Sequence, residues 1–171
     1  AISFEAQYKG QQLECGKEVI VGQGQPGVFW LKDLRFFVHD VEVQLSDGKW
    51  VPTPLVADNI FQSKRVALLD FENAQGACAG GTPLVNTVVK LKAPSKATHG
   101  IRFRLGVPLD LNHVEPASQQ APLTETSMSL EQKAGHRFFR FDMVDSSGNG
   151  LRAHIGSTGC EQISTNTFRC E

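Results

Sequence analysis

Polar and apolar residues alternate in short runs along most of this chain. Ile2-Ser3-Phe4-Glu5-Ala6-Gln7-Tyr8 alternates, as do Arg35 to Leu45, Val85 to Leu91 and Ile101 to Leu105, and His136 to Met143 and Leu151 to Ile155 behave alike. A period of two sends successive side chains to opposite faces of a strand. Turn chemistry separates the runs at Ser46-Asp47-Gly48, Gly80-Gly81-Thr82-Pro83, Thr98-His99-Gly100 and Ser146-Ser147-Gly148-Asn149-Gly150. Many short strands between Gly and Pro turns predict an all-β fold, an antiparallel β-sandwich or open barrel with long loops. Pro108 to Ser129 is aperiodic and carries prolines and serines. A loop of that length in a compact domain usually serves function. No repeat or linker interrupts the chain, so a single domain over residues 1–171 is expected.

Composition narrows the function classes. The formal net charge is -1, and no run of lysine or arginine marks a nucleic-acid or membrane surface. No apolar stretch approaches the ~20 residues of a membrane-spanning helix. The first residue, Ala1, fits a mature chain whose export signal was cut after a small residue, although a trimmed chain would read the same. The cysteines are Cys15, Cys78, Cys160 and Cys170. Their even number and wide spacing predict disulfides and an oxidising compartment, and no pair has the spacing of a zinc knuckle or thioredoxin site. Three connectivities are open. The nearness of Cys160 and Cys170, across the polar segment Glu161 to Arg169, favours Cys160–Cys170, which leaves Cys15–Cys78.

Candidate chemistry rests on five histidines. His39 lies in an alternating run, Arg35-Phe36-Phe37-Val38-His39-Asp40-Val41, and His113 ends Gly106-Val107-Pro108-Leu109-Asp110-Leu111-Asn112-His113. An imidazole at the end of a rigid strand is held in place before a metal arrives. Each also fits a satisfied core or capping histidine. His99 is expected exposed in a turn, His136 opens a strand, and His154 sits close to Cys160. Other sites fail on spacing. Gly156-Ser157-Thr158-Gly159 is not a nucleophile elbow. Gly22-Gln23-Gly24-Gln25-Pro26-Gly27 lacks the context of a phosphate loop. No calcium-loop pattern occurs, nor a His-x-His pair, nor a blue-copper cysteine with its nearby histidine and methionine.

Several phrases carry a family resemblance. Trp30-Leu31-Lys32-Asp33-Leu34-Arg35-Phe36-Phe37-Val38-His39-Asp40-Val41, Leu68-Leu69-Asp70-Phe71-Glu72, Asn86-Thr87-Val88-Val89, Phe103-Arg104-Leu105-Gly106-Val107-Pro108, Leu111-Asn112-His113 and His154-Ile155-Gly156-Ser157-Thr158-Gly159-Cys160 occur in this order. Together with the four cysteines they resemble the MbnP or metallo-mystery-pair four-cysteine family, which the methanotroph copper proteins MopE and CorA also resemble. The resemblance implies a periplasmic or secreted copper-binding protein with no catalysis of its own. It implies His39 and His113 as copper ligands; the residues themselves add His136 and His154 as fallback ligands and Met128 as a possible weak third donor. It also implies a dihaem partner of the MbnH type, related to cytochrome c peroxidases, that oxidises a tryptophan to kynurenine. The tryptophans here are Trp30 and Trp50, and Phe37 stands where a tryptophan would stack two residues before His39. The tryptophan-rich run of relatives is replaced by Ser129-Leu130-Glu131-Gln132-Lys133-Ala134-Gly135-His136.

Two imidazoles in a near-linear arrangement suit Cu(I), and a third weak donor admits Cu(II). Zinc, which prefers four ligands, fits less well. The leading expectation is therefore copper capture or delivery. The alternative is an interaction module that is the substrate of the dihaem enzyme, with metal incidental.

Overall fold

The computed structural model describes residues 1–92, 94, 98–165 and 167–170. Its axis is one strand of 19 residues, Gly27–Leu45, rich in aromatic and β-branched side chains. Every neighbour of this strand is antiparallel. Glu18–Val21 and Arg137–Asp145 flank its first half, and Val66–Asp70, Trp50–Pro52 and Thr98–Leu105 flank its second. Gly150–Gly156 adds outside Arg137–Asp145 to complete a seven-stranded sheet, which curls into an open half-barrel.

Alternation along the central strand does not end in one wet face. Leu34, Phe37, Val38, His39 and Val41 are all buried, because both faces are covered. On one face Leu31, Leu34 and Met143 pack with Ala6, Leu13, Val19 and the Cys15–Cys78 disulfide. Further along it, Val38 and Val41 meet Leu55, Ala67, Leu69 and Val89. On the other face Phe37 meets Val66, Leu68, Val107, Leu123 and Met128. Three of those, Val107, Leu123 and Met128, come from the aperiodic segment or its edge. That segment is the lid of the second face. It holds a one-turn helix, Leu109–Asn112, and 3-10 turns at Pro116–Ser118 and Thr126–Met128.

Both predicted disulfides are present, Cys15–Cys78 and Cys160–Cys170, and among the described residues no cysteine is free. Closing the first loop, 63 residues in sequence, stabilises by about 4 kcal/mol in the chain-entropy model. Other expectations need correction. Thr98-His99-Gly100 is not a turn: Thr98–Leu105 is a strand, and exposed His99 lies within it. The pairing of this strand with the long central strand overrides the local turn signal. The run Ile2 to Tyr8 breaks into Ile2–Ser3 and Gln7–Tyr8, and only Val88–Val89 of Val85 to Leu91 is a strand. The polar segment between Cys160 and Cys170 is a hairpin, Glu161–Ser164 against Thr167–Arg169.

The second face also buries charge. Arg35, only 3% exposed, donates through Nε and Nη2 to Asp33 at 2.9 and 2.5 Å and through Nη1 to Ser127 Oγ at 2.7 Å. Arg140 lies directly opposite Arg35, and Asp142 opposite Asp33. Like charges facing across a ladder repel. The diagonal relieves this, since Arg140 Nε lies 3.1 Å from Asp33 and 3.0 Å from Asp142. Glu72, fully buried, accepts from the backbone N–H groups of Ala74 and Thr82. A Cβ at Gly81 would overlap the Glu72 carboxylate, so this close approach requires glycine.

Asp70 sits across from Arg35, yet burial, with the negative Glu72 and Asp33 nearby, pushes its carboxyl up to about 7. The folded state therefore keeps a proton that the unfolded chain, with an ordinary value of 3.8, releases. Asp70's stability contribution is intact below pH ~4 and is lost as pH rises through ~7. Asp70→Asn, which mimics the protonated form, should raise Tm by several degrees at pH 8, and the gain should shrink toward pH 5. Thermal unfolding at both pH values measures this; an equal shift at both would assign the effect to packing instead.

Candidate metal centre

His39 is on the central strand, 7% exposed, beside Asp40. Asp40 has φ 48°, in the left-handed region, where the ladder to Thr98–Leu105 shifts register. The bulge re-aims the strand here. His39 Nδ1 is buried and has no hydrogen-bond partner; Asp40 Oδ2 is 3.2 Å away but not in hydrogen-bond alignment. The ring borders a cleft of about 650 Å³ lined by His39, Asp40, Arg65, Arg104, Pro108 and Asp110. Arg65 donates to both Asp110 oxygens, at 2.7 and 3.0 Å, and these bonds hold the Asp110 carboxyl below the usual carboxylate range. The cleft thus gathers one buried imidazole, two carboxylates and two guanidinium groups.

His113 has a different environment. It follows the helix Leu109–Asn112 and is 4% exposed. Its Nδ1 lies 2.9 Å from the carbonyl oxygen of Gln132, an acceptor, so Nδ1 carries the proton. Nε2 is left with its lone pair, which faces the Asn112 carboxamide nitrogen at 3.2 Å, Cys170 Sγ at 3.3 Å and Cys160 Sγ at 3.9 Å. Phe168, from the terminal hairpin, stacks on the ring with centroids 4.5 Å apart. Among the described contacts, His39 and His113 share no partner.

The structure brings His113 together with His136 instead, through Asn112. Asn112 Oδ1 accepts from the His136 backbone N–H at 2.8 Å, and its amide nitrogen also donates to Ser157 Oγ at 2.7 Å. The His136 ring, 2% exposed, sets Nδ1 against the Asn112 carbonyl and Nε2 against the Leu123 carbonyl, edge-on to Phe37. Burial holds its pKa below the ordinary imidazole value. With both nitrogens facing carbonyl oxygens, His136 is a structural tie.

The remaining candidates are separate. His154, on the strand Gly150–Gly156, donates through Nε2 to Asp142 Oδ1 at 2.9 Å. Against the burial that would raise it, the hydrogen bonds of Arg140 and His154 hold the Asp142 carboxyl below its usual range. Met128 is fully buried among the apolar partners of Phe37. Trp30 and Trp50 are both half-buried, so neither stands out as the more exposed, and the Arg102 guanidinium lies over the Trp50 ring at 4.5 Å. Sequence reasoning missed Asn112 as the clamp and Arg65, Arg104 and Asp110 as cleft walls. The one visible signal was Asn112 standing directly before His113.

Among the described residues one trio of His, Cys, Asp or Glu donors lies within 4.8 Å: His113, Cys160 and Cys170. While the two sulfurs are bonded to each other they offer no thiolate to a metal.

The clamp makes a stability prediction. Gly135 has φ 71°, and a Cβ there would collide with the Asn112 carboxamide. Gly135→Ala should cost about 2–3 kcal/mol, left-handed strain plus the collision. Gly48→Ala, at φ 83° in open space, should cost only the strain, about 1 kcal/mol. Denaturant unfolding of both variants measures the difference, and equal losses would remove the clamp's role.

Among curated proteins none matches this chain. Among solved structures, MbnP from Methylosinus trichosporium is similar with a TM-score of 0.75 and 25% sequence identity, over 99% of this chain. The chain spans 66% of that protein's length. The MbnP family profile matches residues 1–171. With its whole length matched, its four cysteines paired and its fold shared with that structure, the chain belongs to the MbnP family.

Proposed function

We propose that this MbnP-family chain is a periplasmic or secreted copper-binding protein that captures or delivers copper and performs no catalysis itself. The observation that carries the reading is His39: a buried imidazole with an unpartnered Nδ1 at the edge of an open cleft. Buried polar atoms are nearly always paired, and an orphan calls for an explanation such as an ion. Copper is favoured by imidazole donors. Asp40 stands nearest and would add a carboxylate suited to Cu(II), and a second imidazole would suit Cu(I). For His113 to be that second ligand, its Nε2 must leave the Asn112 amide, so His39 is the principal ligand and His113 the conditional one.

A second reading makes the chain the substrate of a dihaem enzyme of the MbnH type that converts tryptophan to kynurenine, with metal incidental. Trp30 and Trp50 support it equally, both half-buried and therefore within reach of a docking partner. Phe37, in the position that would stack beside the metal, is fully buried and offers no indole.

Copper titration of the oxidised protein, with elemental analysis, should find one equivalent. His39→Ala should abolish it with the circular dichroism spectrum unchanged, and His99→Ala should be silent. Because a ligating imidazole must be neutral, affinity should weaken as the solution is acidified. Unchanged copper binding by His39→Ala would refute this site. Stoichiometric copper-independent modification of Trp30 or Trp50 by the haem partner would favour the second reading.

A further inference from the structure

We propose that Cys160, Cys170 and His113 form a second, redox-gated Cu(I) site, closed while the disulfide stands and opened by a dithiol reductant. This goes beyond the copper reading above and does not use His39.

The geometry comes from three elements. The hairpin Glu161–Ser164/Thr167–Arg169 returns Cys170 to Cys160, and the helix Leu109–Asn112 delivers His113 beneath them. Nε2 and both sulfurs lie within 4.8 Å of one another. The ring is already oriented: Nδ1–H is fixed on the Gln132 carbonyl, Phe168 stacks on one face, and the Nε2 lone pair points toward the sulfurs. A metal-binding histidine is set in the same way, its far nitrogen donating to a carbonyl so that the near one is basic and aimed. The S–S bond withholds both sulfurs, and the Asn112 amide, 3.2 Å from Nε2, must give up that contact and keep its bond to Ser157 Oγ when Nε2 turns to a metal.

Access favours this disulfide over the other. Cys78, 1% exposed, and Cys15 both lie within the first core cluster. Cys170 is half-buried, and a cleft of about 200 Å³ lined by Lys133, Ser157, Gly159 and others reaches Cys160. The bridge spans only 10 residues, so cross-linking constrains the unfolded chain less than the 63-residue bridge does.

The chemistry balances. The dithiol's thiolate attacks one sulfur, the S–S bond breaks, and the dithiol closes to its own disulfide. Two electrons and two protons pass to Cys160 and Cys170, giving two thiols. Cu(I) then replaces the two thiol protons, which leave to solvent, and takes two thiolates and Nε2. Soft thiolates with one imidazole and three ligands in all suit Cu(I) better than zinc, which prefers four. Copper release would follow reoxidation of the pair by a disulfide oxidant. The site would thus couple copper loading to thiol–disulfide exchange with a partner.

The test uses the full chain without oxygen. It is treated with dithiothreitol, desalted, and its thiols counted and mapped by alkylation; two are expected, at Cys160 and Cys170. Cu(I) titration against a chromogenic chelator should then find one equivalent more than the oxidised protein binds. X-ray absorption should assign two sulfurs and one nitrogen to it. Alkylating the two thiols before titration should remove the added equivalent without any mutation, and Cys160→Ser/Cys170→Ser should lack it. His113→Ala in the reduced protein should weaken it at least about tenfold. His39→Ala should leave the added equivalent in place while losing the one in the oxidised protein, so the two readings fail separately. No added equivalent after reduction, survival of the added copper after alkylation, or undiminished affinity in reduced His113→Ala would each overturn the proposal.

Discussion

The fold turns on the burial of the Arg35 guanidinium. A charge at 3% exposure is tolerable only if its donors are met, and the central strand cannot meet them alone. Asp33, two residues earlier on the same face, takes two of the donors. Ser127 takes another from the long aperiodic segment, with Glu125 3.8 Å away. That segment is therefore tied down by polar contacts at one point and by Val107, Leu123 and Met128 over Phe37 at another. Loosening Arg35 would leave a buried unpaired charge and also uncover the second face of the sheet.

The same covering segment builds the candidate sites. Its first helix forms one wall of the cleft at His39, through Pro108, Leu109 and Asp110. Its last residue of helix, Asn112, ties together His113, the His136 backbone and Ser157. A single side chain so joins the helix, the start of the strand Arg137–Asp145 and the approach to the terminal hairpin. The two histidines of the Leu-Asn-His and Val-His-Asp phrases consequently serve different surroundings. His39 keeps a free nitrogen at a cleft, and His113 keeps a lone pair against a disulfide.

Electrostatics separates the two faces of the central strand. One face holds apolar clusters stapled by Cys15–Cys78. The other alternates charge and aromatic, Asp33 and Arg35 before Phe37 and His39, under a lid that must satisfy both kinds of group. Its like-charge pairs, Arg35 with Arg140 and Asp33 with Asp142, are stable only as a diagonal grid. The grid orders the register of Arg137–Asp145 against the central strand, since a one-residue slip would turn the charges to the apolar face.

Much of this was legible in the sequence. Period-two patterning and turn residues determined an all-β antiparallel fold, because both are local chemistry; the cysteine count pointed to disulfides, and the short separation of Cys160 and Cys170 favoured that pair and left Cys15–Cys78, 63 residues apart, as the remainder. Family phrases in order led to MbnP. Periodicity could not reveal that Gly27–Leu45 is one continuous strand, since a strand buried on both faces loses clean alternation around Leu34 to Val38. It misread Thr98-His99-Gly100 as a turn, since only pairing with a distant strand makes it extended. Nor could it decide which way an imidazole points. His39 and His113 read alike as strand-end histidines. What separates them is the Asp40 bulge on one side and Gln132, Phe168 and two sulfurs on the other, all distant in sequence or set by backbone geometry. Residue type and spacing specify which donors exist; only the packing of remote segments decides which lone pairs are left free and what they face.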